Sequence, residues 1–413
     1  MEFDYAKEPG RELLNSNRVS NDKPSVSIIT PYYNVGKYFE QTFNCVMNQT
    51  FPWFEWIIVD DGSTDKPSLD TLERLSKQDT RIRVLHQSNQ RQAAARNAAI
   101  KHSTTDIIVP LDADDLIAPP FIEELYFALQ KNPDAAWAYT DSVGFGAQNY
   151  LWKQPFSASR MKTENLLVCT AAIRKSWLEK VGGYDVSDKS YDEDWHLWLK
   201  LMAAGAKPVH LSGTLFWYRR SAEGMQQQVQ KDRALKQASA KKIREIANAI
   251  KNDIQAKEYP YGGKPGEYAA PKCSDWNRKV FKSHDKIHVM MLLPWMEMGG
   301  ADLFNLDVCR KIDKERFEVS ILTTVPGEQS WRQRFEDYVT DIFDLPSFFE
   351  PKEFPEFISY FIKSREIDVL FLSNSYDGYY LVPWLRAQFP KLAIIDYVHM
   401  EEWYWRNGGY ART

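Results

Sequence analysis

Apolar and polar residues come in alternating blocks through the first half of the chain. Residues 25–30 (Ser-Val-Ser-Ile-Ile-Thr) are a short β-branched run, read as a first strand that feeds into Pro31-Tyr32-Tyr33-Asn34. Residues 35–48 then carry Val35, Tyr38, Phe39, Phe43, Val46 and Met47 at helical spacing. A second strand at 55–59 ends in Asp60-Asp61-Gly62-Ser63-Thr64-Asp65, and the pattern predicts a helix at 67–77 and a third strand at 82–86. Residues 91–102 are Ala-rich and helical. The run Ile-Ile-Val-Pro-Leu-Asp-Ala-Asp-Asp-Leu at 107–116 reads as a buried strand stopped by Asp112, Asp114 and Asp115, and 119–131 is a helix with Pro in its first turn. Strands alternating with helices imply βαβ units and an α/β fold with a mostly parallel, Rossmann-like sheet. Ligands of such sheets bind beyond the carboxyl ends of the strands. The polar clusters 30–34, 60–65 and 112–115 are therefore expected along one edge.

Between 135 and 160 the pattern weakens, with a strand at 137–140 and a turn at 144–146. From about Asp192 it becomes helical again, with Trp195, Trp198, Leu199 and Met202 on one face and Gly205 as the stop. Asp192, Glu193 and Asp194 fall in the first turn, where acids complement the helix dipole. Residues 211–220 read as a strand leaving Arg219 and Arg220 beyond its apolar run, and 226–257 as a long closing helix. Pro and Gly residues at 259–271 mark a linker. Strands at 287–293, 317–323, 367–372 and 394–398 and a helix at 301–312 after Gly299-Gly300 then predict a second, smaller α/β Rossmann-like domain, which reads as unfinished at 408–413. The scheme is an N-terminal extension (1–23), a main domain (24–225), a helical extension (226–258), a linker (259–285) and a partial, truncated domain (286–413).

Composition narrows the function classes. With 413 residues, 44% hydrophobic and 14% aromatic, the chain supports more than one packed core. A net charge of −4 and the lack of a basic stripe argue against nucleic acid as partner. Cys45, Cys169, Cys273 and Cys309 are far apart with no CxxC pair, which suits a reducing compartment better than disulfides or zinc. The N-terminus lacks a signal-peptide core, and no apolar run approaches the roughly 20 residues of a membrane helix. A cytoplasmic protein is expected, with any attachment to the inner face of the membrane made through partners.

The chemistry lies in the strand-end acids. Carboxylates spaced Asp-x-Asp, as Asp112 and Asp114 are, offer hard oxygen ligands to Mg2+ or Mn2+, which in turn holds a diphosphate. A lone cluster of this kind is equally well explained as a solvated turn or helix cap. Its company decides between the two. Residues 26–34, 59–65, 95–97 (Ala-Arg-Asn), 111–115 and 193–195 (Glu-Asp-Trp) together resemble the family 2 glycosyltransferases, in the family's order of motifs, over about 23–224.

The resemblance implies a GT-A nucleotide-diphospho-sugar transferase fold and a metal-dependent inverting glycosyltransferase, with Mn2+ or Mg2+ as cofactor. It implies transfer from a nucleotide-sugar donor, UDP- or dTDP-linked, to a hydroxyl of a glycan or glycolipid acceptor, as in bacterial surface polysaccharide synthesis. Thr30, Tyr32 and Asn34 match the donor-binding segment, with Tyr32 cradling the base; Asp61, beside Asp60, matches the acceptor of a pyrimidine N–H. Arg96 faces the donor, and Asp112 and Asp114 match the metal motif, with Asp114 as direct ligand. Asp194 matches the catalytic base, with Glu193 as its competitor. Arg219 and Arg220 suit diphosphate oxygens. Many relatives carry His soon after this arginine, whereas this chain has Ser221-Ala222-Glu223-Gly224, so the third metal ligand falls to water or His196.

Residues 294–302 and 399–410 resemble, more weakly, the N-terminal half of a family 4 glycosyltransferase of the GT-B fold. That half alone would be inactive. Two other functions compete with the leading one: a noncatalytic sugar-nucleotide-binding or scaffold module, and a nucleotidyltransferase. The first has no chemical need for Asp112, Asp114 and Asp194 together. The second calls for a Gly-rich phosphate loop where this chain has Pro31-Tyr32-Tyr33-Asn34.

Overall fold

The structure, a computed structural model, describes residues 23–187, 192–220, 233–251, 253–259, 286–347 and 349–399. They fall into two compact units that divide after Tyr259. The N-terminal extension, the Ser221–Gly224 departure and most of the expected linker lie outside the described residues, as does the chain beyond 399.

The first unit is a ten-stranded mixed sheet with helices packed on it. Its parallel half runs β3 (Ile82–His86), β2 (Phe54–Asp60), β1 (Val26–Tyr32), β4 (Ile107–Pro110). β1 is central and buried on both faces, which is why it reads as a continuous apolar run rather than an alternating one. Helices α1 (Gly36–Met47), α2 (Lys66–Ser76) and α3 (Arg91–His102) connect these strands. The chain adds β2 and β3 on one side of β1, then crosses to place β4 on the other. That reversal of strand order between β1 and β4 is where an open sheet leaves a crevice for a ligand.

The rest of the sheet was less legible. After β4 come β5 (Leu116–Ile117) and α4 (Phe121–Lys131), then β6 (Trp137–Gly146), β7 (Tyr150–Trp152), α5 (Ala158–Met161), β8 (Ala172–Arg174) and α6 (Lys175–Lys180). Helix α7 (Glu193–Ala203) leads into the long β9 (Pro208–Arg220). The turn expected at 144–146 is instead the end of β6. Gly144 is a strand residue because a Cβ there would lie 2.3 Å from the Tyr150 ring. The closing helix, described over Arg233–Ala247, ends ten residues earlier than expected, its expected start at 226–232 lies outside the described residues, and β10 (Lys257–Tyr259) follows it, paired with β9. Ile243, Ala247, Ile250 and Ile254 enter the same core as Trp137 and Trp198, so the segment is part of the domain and not an appendage.

The second unit is an all-parallel five-stranded sheet in the order β13 (Ile342–Asp344), β12 (Phe317–Thr323), β11 (Ile287–Leu293), β14 (Val369–Ser373), β15 (Ala393–Tyr397). The expected helix is Gly300–Lys311; the pattern missed β13 and the helices Phe354–Ser364 and Tyr376–Gln388. The α/β class holds for both units.

Candidate active site

Parallel register brings three strand ends together. Tyr32 stands opposite Asp60 and Ile29 opposite Pro110, so the loops after β1, β2 and β4 leave the sheet side by side. Asn34, at φ 49°, ties two of them: its Oδ1 accepts from the backbone N–H groups of Thr64 (2.8 Å) and Asp65 (3.1 Å). Asp60 Oδ1 accepts from Ser63 N at 3.0 Å, an Asx turn that fixes the loop, while its Oδ2 meets His86. Asp61 is buried, and its Oδ1 accepts from Gln87 Nε2 (2.7 Å) and Gln90 N (2.9 Å).

Two donor-site expectations change. Tyr32 cannot cradle a base: the strand continues through it, its ring packs edge-on against Phe39, and its hydroxyl donates to the Ser68 carbonyl at 2.7 Å. Burial pushes its phenol up to about 12. Side chains alternate along a strand, and the next one, Tyr33, is 47% exposed just past the strand end. Thr30 is likewise in the core, its hydroxyl accepting from Trp56 Nε1 at 2.9 Å.

The turn after β4 is rigid. The Thr42 hydroxyl sits 3.0 Å and 2.9 Å from the carbonyls of Ala113 and Asp115, and β5 pins the far end antiparallel to β9. Arg219, near the end of β9, closes it from above. Its backbone N–H donates to Asp115 Oδ1 (2.7 Å), its Nε to the Asp114 carbonyl (2.7 Å) and its Nη2 to Gln41 (2.6 Å). Most of the Arg219 guanidinium thus holds the acidic turn in place rather than standing ready for a diphosphate. Arg220 lies over the Tyr218 ring.

Arg96 joins this turn to α7. It projects from α3 with 1% exposure and donates from Nη2 to Asp112 Oδ1 (2.5 Å) and from Nη1 to Glu193 Oε1 (2.7 Å). Burial opposes its charge, but the two carboxylates hold it protonated well above its ordinary value. Gln92 donates to the same Glu193 oxygen. Glu193 is therefore committed through Oε1 to an ion pair. Asp194, beside it, accepts from Asn165 Nδ2 (3.2 Å) and Trp195 N (2.7 Å). Burial and the Glu193 charge push its carboxyl up to about 7. Asp192, the N-cap residue of α7, is held by Ser239 of the helix Arg233–Ala247 at 2.5 Å.

The acids of the β4 turn repel one another. Burial, reinforced by Asp112, raises Asp114 to about 6; burial also raises Asp115 well above the carboxylate range. Buried like charges of this kind are offset by a cation. Asp115 is fully buried, and its Oδ2 has no hydrogen-bond partner. Among the described residues, the donor atoms that converge within 4.8 Å of one another come from Asp112, Asp115 and Cys169. The carboxylate that stands beside Asp112 in this geometry is that of Asp115 and not of Asp114. His196 is not a substitute ligand, because it is buried against Ser239 (Nε2 to Oγ 3.3 Å), behind α7. Asn165, Cys169 and Tyr33 escaped the sequence reading as site residues, and Asp115 was read only as one of the acids that end the strand. Nothing in the sequence marks a lone Cys or Asn in a loop.

Residues 27–193 match the family model described as Glycosyl transferase family 2. "Glycosyltransferase GlyG" of Streptococcus pneumoniae is 39% identical over 107 residues, 26% of this chain and 35% of that protein. "O-antigen biosynthesis protein RfbC" of Myxococcus xanthus is 27% identical over 223 residues, 52% of this chain and 17% of that protein. The chain thus spans well under half the length of either relative. Among solved structures, S. aureus TarS 1-349 in complex with UDP-GlcNAc has a TM-score of 0.43 and 20% identity, covering 49% of this chain and 60% of that one. No described helix is long and apolar enough to cross a membrane. The segment that supplies Asp61, Arg96, Asp112 and Glu193 is thus one that matches glycosyl transferase family 2.

Proposed function

We propose that the first unit transfers a sugar from a nucleoside diphosphate donor, UDP- or dTDP-linked, to a hydroxyl of a glycan acceptor, with inversion, in the making of a surface polysaccharide. The observation that carries this reading is the Arg96 guanidinium, which spans from Asp112 after β4 to Glu193 at the start of α7. It makes one site of two acidic motifs that lie far apart in sequence. O-antigen biosynthesis, named for the Myxococcus relative, is a process of the proposed kind.

Each residue has a task in this reading. Asp61 keeps Oδ2 for a pyrimidine ring N–H, and exposed Tyr33 stacks on the base. Asp112, with its neighbour in the turn, would hold Mn2+ or Mg2+, and the unpartnered Asp115 oxygen fits a cation there. Such a metal, when bound, neutralises charge on the departing diphosphate as a Lewis acid. Asp194 takes the proton of the acceptor hydroxyl as that oxygen attacks the anomeric carbon; a carboxyl near 7 is suited to this at neutral pH.

Three outcomes are expected. Thermal-shift screening of UDP, dTDP, GDP and CMP sugars should raise Tm with the uracil or thymine donors, and more so with Mn2+. Stabilisation by GDP or CMP sugars alone would overturn the assignment of Asp61. Tyr33→Ala should weaken nucleotide binding by about 1–3 kcal/mol, the scale of one base on one aromatic face, while Tm without ligand stays put. An unchanged Kd would remove Tyr33 from the site. A base must be ionised, so kcat/KM should fall as pH drops below about 7 and level off above it. A flat acid limb down to pH near 5 would contradict Asp194 as base.

A further inference from the structure

The cation site has a donor that the hard-oxygen motif does not call for. Cys169 sits in the loop before β8, is 8% exposed, and places Sγ 3.5 Å from Asp112 Oδ2. Its second neighbour is the Thr170 hydroxyl, also at 3.5 Å. The independent sign of a missing partner is Asp115, which contributes a carboxylate oxygen to the same 4.8 Å triangle and whose wholly buried Oδ2 is unsatisfied. A buried carboxylate oxygen left without a hydrogen bond carries its full desolvation penalty. A cation coordinated by the triangle removes it.

We propose that Cys169 is the third protein ligand of the cation, making the site O,O,S rather than all-oxygen and shifting its preference from Mg2+ toward thiophilic divalent ions. The inference deepens the metal-dependent reading above and rests on it. Metal–oxygen and metal–sulfur bonds run about 2.0–2.3 Å, so two ligands of one ion stand at most about 4.6 Å apart, and a small inward shift of atoms that lie within 4.8 Å of one another brings all three onto one ion. A thiolate is a soft ligand and Mg2+ a hard, strongly hydrated ion, so replacing oxygen by sulfur costs Mg2+ more than Mn2+, Co2+, Zn2+ or Cd2+. As the Sγ–metal bond forms, the thiol proton leaves to solvent. Asp112 and Asp115 remain as carboxylate ligands, and Arg96 and Arg219 keep the contacts already described. No step beyond coordination is needed.

The test uses the full chain with UDP and Co2+, followed by absorption in the near ultraviolet, where a cobalt–thiolate bond gives a charge-transfer band. Wild type and Cys273→Ser should show the band and Cys169→Ser should lack it. Cys169→Ser should also lose roughly 10- to 100-fold in affinity for Cd2+, the scale on which metal sites respond to a lost supporting group, with Mg2+ affinity little changed. X-ray absorption at the metal edge of wild type, which needs no variant to fold, should show one sulfur neighbour near 2.3 Å. If Mn2+ binds with nucleotide but no sulfur is seen and no band arises, Cys169 is not a ligand, and the oxygen-only site of the proposed function stands. If no divalent cation binds even with nucleotide, the metal-dependent reading itself falls and takes this inference with it.

Discussion

Asp194→Asn is expected to lower kcat by about 10²–10⁴-fold, the contribution of a positioned general base, with little change in donor Kd. The amide is isosteric and its one carbonyl oxygen can keep the contact to Trp195 N, while its amino group gives up the contact to Asn165 Nδ2 and cannot accept the acceptor's proton. Stability should hold or rise slightly, because the substitution removes a buried charge that Glu193 repels. Glu193→Gln gives the contrasting result. It weakens the pair with Arg96, so it should lower Tm together with activity. Near-wild-type turnover in Asp194→Asn, measured with donor and acceptor both saturating, would take the base role away from this residue.

Arg96→Met should cost about 3–5 kcal/mol of folding stability, the usual penalty for removing one partner from a buried ion pair. The guanidinium is 1% exposed and is shared by Asp112 and Glu193, so its loss strands two carboxylates at once. Arg96→Lys should recover little, since an ammonium lacks the planar fork that spans both acids. Urea titration of the first unit's transition measures this directly. A loss under about 1 kcal/mol would mean that water or a cation already compensates these carboxylates, and that the Arg96 bridge does not organise the site. Donor binding should weaken in parallel, because Asp112 then loses its fixed orientation.

The parallel half of the sheet was readable because each strand there is a compact apolar run between helices with a clear period. β3 and α3 appear with the bounds their patterns predict. Legibility failed where tertiary contacts set the structure. β5 is two residues long and β8 three, too short to show a period, and their strand partners β9, β6 and β4 are distant in sequence. β6 runs on through Gly144 because Tyr150 fills the space where a side chain would be.

The site divides in the same way. Acids at strand ends were visible from position alone. Which of them face one another was not, because Arg96 on an Ala-rich helix looks solvated until α7 is packed against it. Tyr32 is buried and Tyr33 exposed for a local reason: β1 extends two residues past the predicted end at Thr30, which turns Tyr32 into a core residue. His196 shows the converse. It follows Glu193-Asp194-Trp195 directly in sequence, yet the turn of the helix points it toward Ser239.

The central claim is that the acids after β4 and those opening α7 serve a single donor pocket. The most direct measurement is anomalous diffraction at the manganese edge from crystals of the chain with Mn2+ and a nonhydrolysable UDP-sugar. The account predicts a manganese peak against Asp112 and its turn, with the anomeric carbon between that ion and the Asp194 carboxylate. Manganese or nucleotide bound away from that turn, or an anomeric carbon out of reach of Asp194, would contradict it.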